Sequence, residues 1–372
     1  MIRRMSIVTP KRNRLAANLV LVLIACVAAL LVSAITPLVW HDKFYIDGLT
    51  ILSTVPSFEP FGGSYAASAL LLKPWFAVAR AVGGDLTTYG LQYGYGLIAT
   101  NIVFGSSFLA TFMWFTLRFE PLATWRNYAA VLMVMVLLAP FYFAITKELV
   151  LFLSSTLPFI VWSRSAEKLK TGLFVYFVSL LFLGIYFRSY YALYGVVLLV
   201  NLVALRRPAV ALAVYGIALL VVFATFSKLP WDLLLKGRAE YLEGISASRI
   251  EYYFSDGSFI GFVGNRVLTF LSMMFPVNLA MRSPAYMPFI ALQLWLSIGI
   301  IGNIRRRAAG IVGISTHVVL AFTIVQALFE PDYGSYFRHK VGLILFILVI
   351  LCKFIRIPDP VDRSVPGRKR YS

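Results

Sequence analysis

Runs of about 17–25 apolar residues constrain this chain most, because each is long enough to cross the hydrocarbon core of a membrane as a helix. Hydrophobic residues make up 60% of the 372 positions and charged residues only 13%, which excludes an ordinary soluble enzyme. We therefore predict an all-α, polytopic integral membrane protein with about ten transmembrane helices. The predicted spans are 15–39, 95–117, 127–146, 149–163, 171–187, 189–205, 208–226, 284–301, 311–329 and 341–357.

Lys and Arg residues collect in the short connections on one side of the predicted membrane protein. Six groups hold 21 of the 34 Lys and Arg residues, but only four of the 16 Asp and Glu residues. Cytoplasmic connections are rich in Lys and Arg, so both termini are predicted to be cytoplasmic, including a basic tail at 358–372. The formal net charge of +18 thus reflects topology, and no nucleic-acid partner is expected. The first span is expected to remain uncleaved, because its apolar run continues through Trp40.

Ten spans leave two long segments on the non-cytoplasmic side, 40–94 and 227–283. The stretch 65–83 of the first segment mixes apolar and basic residues, which suits a helix lying in the membrane interface. The second, larger segment mixes arginines with aromatic residues, an arrangement suited to phosphate oxygens and sugar rings. Within it, 267–281 is too short for a comfortable span and is expected to re-enter the membrane or lie flat. Its candidate substrate-binding residues are Arg249, Tyr252 and Arg266.

The turn 330–340 is the most informative short segment, because it places five ionisable residues between two apolar spans. Charge of this density beside lipid is costly unless it is solvated or used in function, and Pro331 and Gly334 favour a rigid turn. In the ten-span topology, Lys147-Glu148 and Arg188 reach the same surface. We expect cationic side chains there to bind a diphosphate, and an acid or histidine to act as base. The candidate bases are Glu330, Asp332 and His339, and the candidate substrate-binding residues are Lys147, Arg188, Tyr191 and Arg338.

The architecture, together with Lys147-Glu148, Arg188-Ser-Tyr-Tyr191 and the stretch Phe329–His339, resembles the Wzy-type bacterial polysaccharide polymerases of O-antigen, capsule and exopolysaccharide synthesis. The resemblance implies a glycosyltransferase that polymerises undecaprenyl-diphosphate-linked repeat units on the outer face of the inner (plasma) membrane. It implies no metal and no cofactor, with a flippase and a chain-length regulator as protein partners. The chain departs from the family in its first long segment, where the only basic residues are Lys43, Lys73 and Arg80.

Two other function classes remain open. A GT-C-type polyprenyl-phosphate-sugar glycosyltransferase also has an acidic residue in its first outer loop, so Asp42 or Asp47 would then be catalytic, often with a divalent metal. A lipid-linked oligosaccharide flippase or other transporter needs polar groups within the spans, where Asn101, Asn201 and His317 are available. The placement of most ionisable residues outside the spans favours an enzyme.

Overall fold

A computed structural model describes residues 43–60, 63–84, 86, 96–119, 124–165, 168–204, 207–228, 248–255 and 257–352, with scattered positions between 19 and 35. Within this part of the chain the regular structure is helical, apart from one isolated β-bridge between Arg249 and Asp332. Seven helical segments are long and apolar enough to cross a membrane. The prediction of an all-α chain with several membrane-spanning helices is therefore confirmed.

The helices follow one another along the chain in the order that the apolar runs predict. Three short helices come first, α1 (Lys43–Ser53), α2 (Ser64–Leu71) and α3 (Lys73–Ala81). The next six are α4 (Gly96–Phe119), α5 (Trp125–Tyr142), α6 (Glu148–Trp162), α7 (Leu169–Tyr186), α8 (Tyr190–Ala204) and α9 (Pro208–Thr225). The last five are α10 (Phe259–Met274), α11 (Met287–Arg305), α12 (Gly310–Phe329), α13 (Tyr333–His339) and α14 (Ile344–Leu351).

The candidate spans of the described residues number seven, whereas the sequence predicts about ten. Helices α6, α8 and α10 are apolar but have only 15 or 16 residues, which is roughly 23 Å of helix. Helices α6 and α8 nevertheless coincide with the predicted spans 149–163 and 189–205. Most of the predicted first span, 15–39, lies outside the described residues, and the positions described in it are helical.

The last helical region begins earlier than the predicted span 341–357. Helix α13 begins at Tyr333, a 3-10 turn over Lys340–Leu343 follows, and α14 ends at Leu351. The segment 330–340 is thus largely a short buried helix rather than a turn at a hairpin tip. The reason is that Tyr333, Tyr336 and Phe337 pack into the core, which carries the neighbouring charged residues inward with them. The predicted basic tail, 358–372, lies outside the described residues.

Helix α14 occupies the centre of the core, where all eight of its residues are buried. It packs against α5, α11 and α12, and Phe346 contacts the aromatic rings of Phe159, Trp162 and Tyr176. Helices α6 and α7 also pack closely, because Gly172 of α7 leaves room for the Trp162 ring. A Cβ atom at position 172 would lie 2.2 Å from Trp162 Nε1. Small residues at such a crossing allow helices to approach each other closely in a membrane protein.

The first long segment folds into the three short helices α1, α2 and α3. The expected interfacial helix over 65–83 is divided at Leu72, which lies between α2 and α3, and Pro74 stands at the start of α3. Trp75 of α3 donates a hydrogen bond from Nε1 to Ser107 Oγ of α4 at 2.6 Å, which anchors the segment to the helical bundle. The sequence did not predict helix α1.

The second long segment is described at residues 227–228 and from residue 248, with 229–247 and 256 outside the described residues. Helix α10 packs against α12, and its N-cap is Ser258, whose hydroxyl accepts a hydrogen bond from the amide of Gly261. The stretch 267–281 consists of the second half of α10 and a 3-10 turn over Val277–Met281, and its re-entry into the membrane or flat position stays a prediction. The structure therefore divides this stretch after Met274.

Candidate functional site

Seven ionisable side chains from five separate parts of the chain meet at one end of the helical bundle. They come from α1, the start of α6, the α7–α8 connection, the end of α12 and helix α13. We call them the charged cluster: Asp47, Lys147, Glu148, Arg188, Glu330, Arg338 and His339. The predicted meeting of Lys147-Glu148, Arg188 and the 330–340 segment is confirmed by these contacts.

Arg338 connects two of the carboxylates in the charged cluster. Its Nη1 lies 2.9 Å from Asp47 Oδ2, and its Nε lies 3.2 Å from Glu148 Oε1. The planar guanidinium presents these nitrogens in a fixed arrangement, so it can hold both carboxylates in place at once. The predicted binding of diphosphate by Arg338 stays a prediction, because in this structure these two nitrogens face protein carboxylates.

His339 lies between two acceptor oxygens. Its Nε2 is 3.4 Å from Glu148 Oε1, and its Nδ1 is 3.0 Å from Gln326 Oε1. Whether Nδ1 donates or accepts depends on the ring tautomer, and the imidazole is held between a carboxylate and a side-chain amide of the protein. Only 1% of His339 is exposed, so both contacts lie inside the protein.

Lys147 and Tyr65 hold the carboxylate of Asp47 from the other side. The Tyr65 hydroxyl donates to Asp47 Oδ1 at 2.7 Å, and Lys147 Nζ lies 3.6 Å from Asp47 Oδ2. The Lys147 ammonium also lies 4.5 Å from the centre of the Tyr65 ring, a cation–π contact. Asp47 therefore joins the first long segment to the rest of the cluster through two side chains, Lys147 and Arg338, while Tyr65 belongs to the same segment.

Burial and neighbouring charges shift the pKa values of Asp47 and Lys147. Burial raises the pKa of Asp47, but Arg338, Lys147 and the Tyr65 hydrogen bond outweigh it, so the pKa lies below its usual value. Burial and the charge of Arg188 together lower the pKa of Lys147 to about 8, although the charges of Glu148 and Asp47 oppose this shift. Lys147 is thus a cation that gives up its proton within an accessible pH range.

Arg188 pairs with Glu330 and faces open space. Its Nη1 lies 3.4 Å from Glu330 Oε1 and donates to the Tyr190 hydroxyl at 2.9 Å. A groove of about 310 Å³ runs along residues 184–190, with Arg188 and Tyr190 in its wall. Arg188 also lines a second cavity, of about 10 Å³, which is the volume of one water molecule. The other polar residues in the wall of this small cavity are Ser64, Lys147, Glu148 and Tyr191.

Asp332 has a different role from the neighbouring Glu330. Its Oδ2 accepts a hydrogen bond from the amide of Ser335 at 2.7 Å, which caps helix α13. Its Oδ1 accepts a hydrogen bond from the Ser248 hydroxyl at 2.7 Å. Both carboxylate oxygens of this predicted base therefore hold protein structure together.

Arg249 and Arg266, the predicted substrate-binding arginines of the second long segment, are not members of the charged cluster. Residues 248–250 pair with 331–333 through the backbone, including a hydrogen bond from the amide of Ile250 to the carbonyl of Pro331 at 2.7 Å. Arg249 takes part in this pairing through its backbone. The guanidinium of Arg266 stacks over Tyr252, 4.7 Å from the ring centre. Arg266 of α10 and Tyr252 thus contact each other, while their binding of substrate stays a prediction.

The sequence analysis missed two carboxylates of the charged cluster as site residues. Asp47 was weighed only as part of an alternative function, and Glu148 only as the neighbour of Lys147. Asp42, the other residue of that alternative, lies outside the described residues. Among the described residues, no three His, Cys, Asp or Glu side chains are grouped so that they could hold a metal ion.

Comparison with protein-family models, with curated proteins and with solved structures finds no match to this chain. The chemistry of the charged cluster must therefore be argued from its own residues. The cluster combines three carboxylates with three basic side chains and a histidine, and most of these side chains are buried. Buried charges in a membrane protein are costly to keep, which makes them a functional-site hypothesis by default.

Proposed function

We propose that this chain polymerises lipid-linked oligosaccharide repeat units into a cell-surface polysaccharide. The observation that carries the proposal is the position of Arg188. Its side chain lies in the wall of a groove and of a small polar cavity, within a cluster of buried carboxylates. This arrangement offers a cation to a departing diphosphate and a carboxylate to an attacking hydroxyl, which are the two needs of glycosyl transfer from a lipid diphosphate.

The donor in this proposal is an undecaprenyl-diphosphate-linked glycan, with its diphosphate at Arg188. An arginine binds phosphate oxygens through two parallel hydrogen bonds, which strengthen as negative charge develops on the leaving group. Lys147 supplies a second positive charge from the wall of the adjacent cavity. Arg338 holds Asp47 and Glu148 in place, and Glu330 and His339 remain proposed participants in proton transfer.

The proposed location is the bacterial inner membrane, with both termini cytoplasmic and the charged cluster on the outer face. The Lys and Arg distribution supports this orientation, because the basic connections follow the positive-inside pattern. The apolar helices suit a substrate with a long isoprenoid chain. A flippase that delivers the repeat units and a regulator of chain length are the partners that such a polymerase requires.

The test of this proposal is the length of the glycan made in cells that carry Arg188→Ala. We expect lipid carriers that bear single repeat units and little long-chain polysaccharide, with the protein still present in the membrane. The matched control is Arg306→Ala, which removes an exposed arginine at the end of α11 and should leave the glycan length unchanged. Normal long-chain glycan in the Arg188→Ala strain would contradict the proposal.

A second candidate function is a GT-C-type transfer of a sugar from a polyprenyl phosphate. The specific observation in its favour is that Asp47, in the first long segment, is buried in the charged cluster. The two functions differ in donor, so a purified protein offered both donors distinguishes them. Consumption of a polyprenyl-monophosphate sugar, with no joining of diphosphate-linked repeat units, would favour the second candidate.

A further inference from the structure

Glu148 has an open carboxylate oxygen inside the charged cluster. Its side chain is buried, with 2% of the residue exposed. Oxygen Oε1 faces Arg338 Nε at 3.2 Å and His339 Nε2 at 3.4 Å. Both oxygens are buried and accept no hydrogen bond in the described part of the chain, and the two ion-pair distances above are to Oε1. A buried polar atom without a hydrogen-bond partner is costly, so the missing partner of Oε2 needs an explanation.

The small cavity beside Glu148 provides the place for a reacting hydroxyl. Glu148, Lys147 and Arg188 share its wall, and its volume of about 10 Å³ is that of one water molecule. The oxygen of a sugar hydroxyl is similar in size to a water, and its single O–H group can donate to a carboxylate. Arg188 also lines the larger groove, so a diphosphate bound to Arg188 in the groove would lie next to this cavity.

The other candidate bases are less suited to this proton transfer, because they do not line the small cavity as Glu148 does. Glu330 faces Arg188 at 3.4 Å. Asp47 accepts the Tyr65 hydroxyl on Oδ1 and faces Arg338 on Oδ2. Asp332 caps α13 with one oxygen and binds Ser248 with the other. His339 does not line the small cavity, and its Nδ1 lies 3.0 Å from Gln326 Oε1.

We propose that Glu148 is the general base of the reaction, and that it takes the proton of the acceptor hydroxyl in the cavity between Lys147 and Arg188. This inference rests on the proposed polymerase function. The acceptor oxygen forms a bond to the anomeric carbon of the donor sugar, while the bond from that carbon to the phosphate oxygen breaks. The hydroxyl proton goes to Glu148, and the bonding electron pair leaves with the undecaprenyl diphosphate, beside Arg188. His339 and the guanidinium of Arg338 keep the carboxylate in position.

The first experiment measures kcat and the donor KM of purified Glu148→Gln and Glu148→Asp variants with a diphosphate-linked repeat unit. Removal of a general base lowers kcat by about 100- to 10,000-fold, and we expect Glu148→Gln to do so with little change in donor KM. Glu148→Asp keeps a carboxylate and its charge toward Arg338, so it should recover part of the lost kcat. It also guards against a Glu148→Gln variant that fails to fold.

The second experiment adds azide to the same variants. Azide is already an anion and attacks the anomeric carbon without a base, so Glu148→Gln should release a glycosyl azide from the donor while it makes no polymer. Mass spectrometry detects this product. If Glu148→Gln polymerises at nearly the wild-type rate, the role of Glu148 as general base is overturned and the proposed function is not. Absence of glycosyl azide from a variant that still binds donor would also overturn it. A wild-type protein that leaves diphosphate-linked donor intact would instead refute the proposed function, and this inference with it.

Discussion

The guanidinium of Arg338 lies 2.9 Å from the carboxylate of Asp47, and this ion pair joins the first long segment to the helix that follows α12. The same guanidinium contacts Glu148 at the start of α6. One side chain therefore fixes three parts of the chain that are distant in sequence. Its removal should affect both the stability of the fold and the arrangement of the site.

Arg338→Ala should lower the free energy of unfolding by about 3 kcal/mol, because it leaves two buried carboxylates without their shared partner. Arg338→Lys should recover only part of this loss, since an ammonium cannot reproduce the planar arrangement that faces both carboxylates. Thermal unfolding in detergent measures the effect. The control is Arg282→Ala, which breaks an exposed pair with Glu251 and should cost less than about 1 kcal/mol. Equal losses in the two alanine variants would contradict the bridging role.

Asp332→Asn should leave activity near normal, because asparagine caps a helix about as well as aspartate. Asp332→Ala should lower stability by about 1 kcal/mol, since the amide of Ser335 loses its acceptor. The measurements are the unfolding temperature and the glycan chain length. Loss of long-chain glycan in Asp332→Asn, with normal stability, would show instead that this carboxylate takes part in proton transfer.

Activity should fall as the pH rises through about 8, because Lys147 then loses the charge proposed to assist diphosphate binding. The folded-state pKa of Lys147 lies below its ordinary value of 10.5, so between these values the unfolded chain binds more protons than the folded one. The contribution of Lys147 to stability therefore rises with pH in this window, while donor binding weakens. Donor KM measured from pH 6.5 to 9.5 tests this expectation. A Lys147→Arg variant stays charged over this pH range, so its donor KM should show no inflection near pH 8. If this variant keeps the wild-type inflection, Lys147 is not the group that causes it.

Gly172→Ala should destabilise the fold by about 1–3 kcal/mol, the usual cost of overpacking a close contact. The added Cβ would lie 2.2 Å from Trp162 Nε1, so the ring or the α6–α7 crossing must shift. Gly216→Ala is the matched control, because Gly216 stands in helix α9 with nothing within 4 Å of an added Cβ. Unfolding temperatures compare the two variants. A similar loss of stability in both would mean that the Trp162 contact is not the cause.

The apolar runs predicted the helices well because backbone polar groups in lipid must be satisfied within a helix. Successive spans place their connections on alternate sides of the membrane. This alternation also predicted that Lys147-Glu148, Arg188 and the 330–340 segment would reach the same surface. The inclusion of Asp47 could not be predicted in the same way, since its contact with Arg338 depends on how α1 folds back onto the bundle. The capping role of Asp332 was obscured by Pro331 and Gly334, which favour a turn, whereas burial of Tyr333 and Tyr336 favours a helix.

The central claim is that the charged cluster joins lipid-linked repeat units. Its most direct test is purified protein in vesicles with one undecaprenyl-diphosphate-linked repeat unit as the sole substrate. We predict a ladder of products that differ by one repeat unit, with release of undecaprenyl diphosphate, and loss of both in Arg188→Ala. Repeat units that stay single with the wild-type protein, although they bind to it, would contradict the claim.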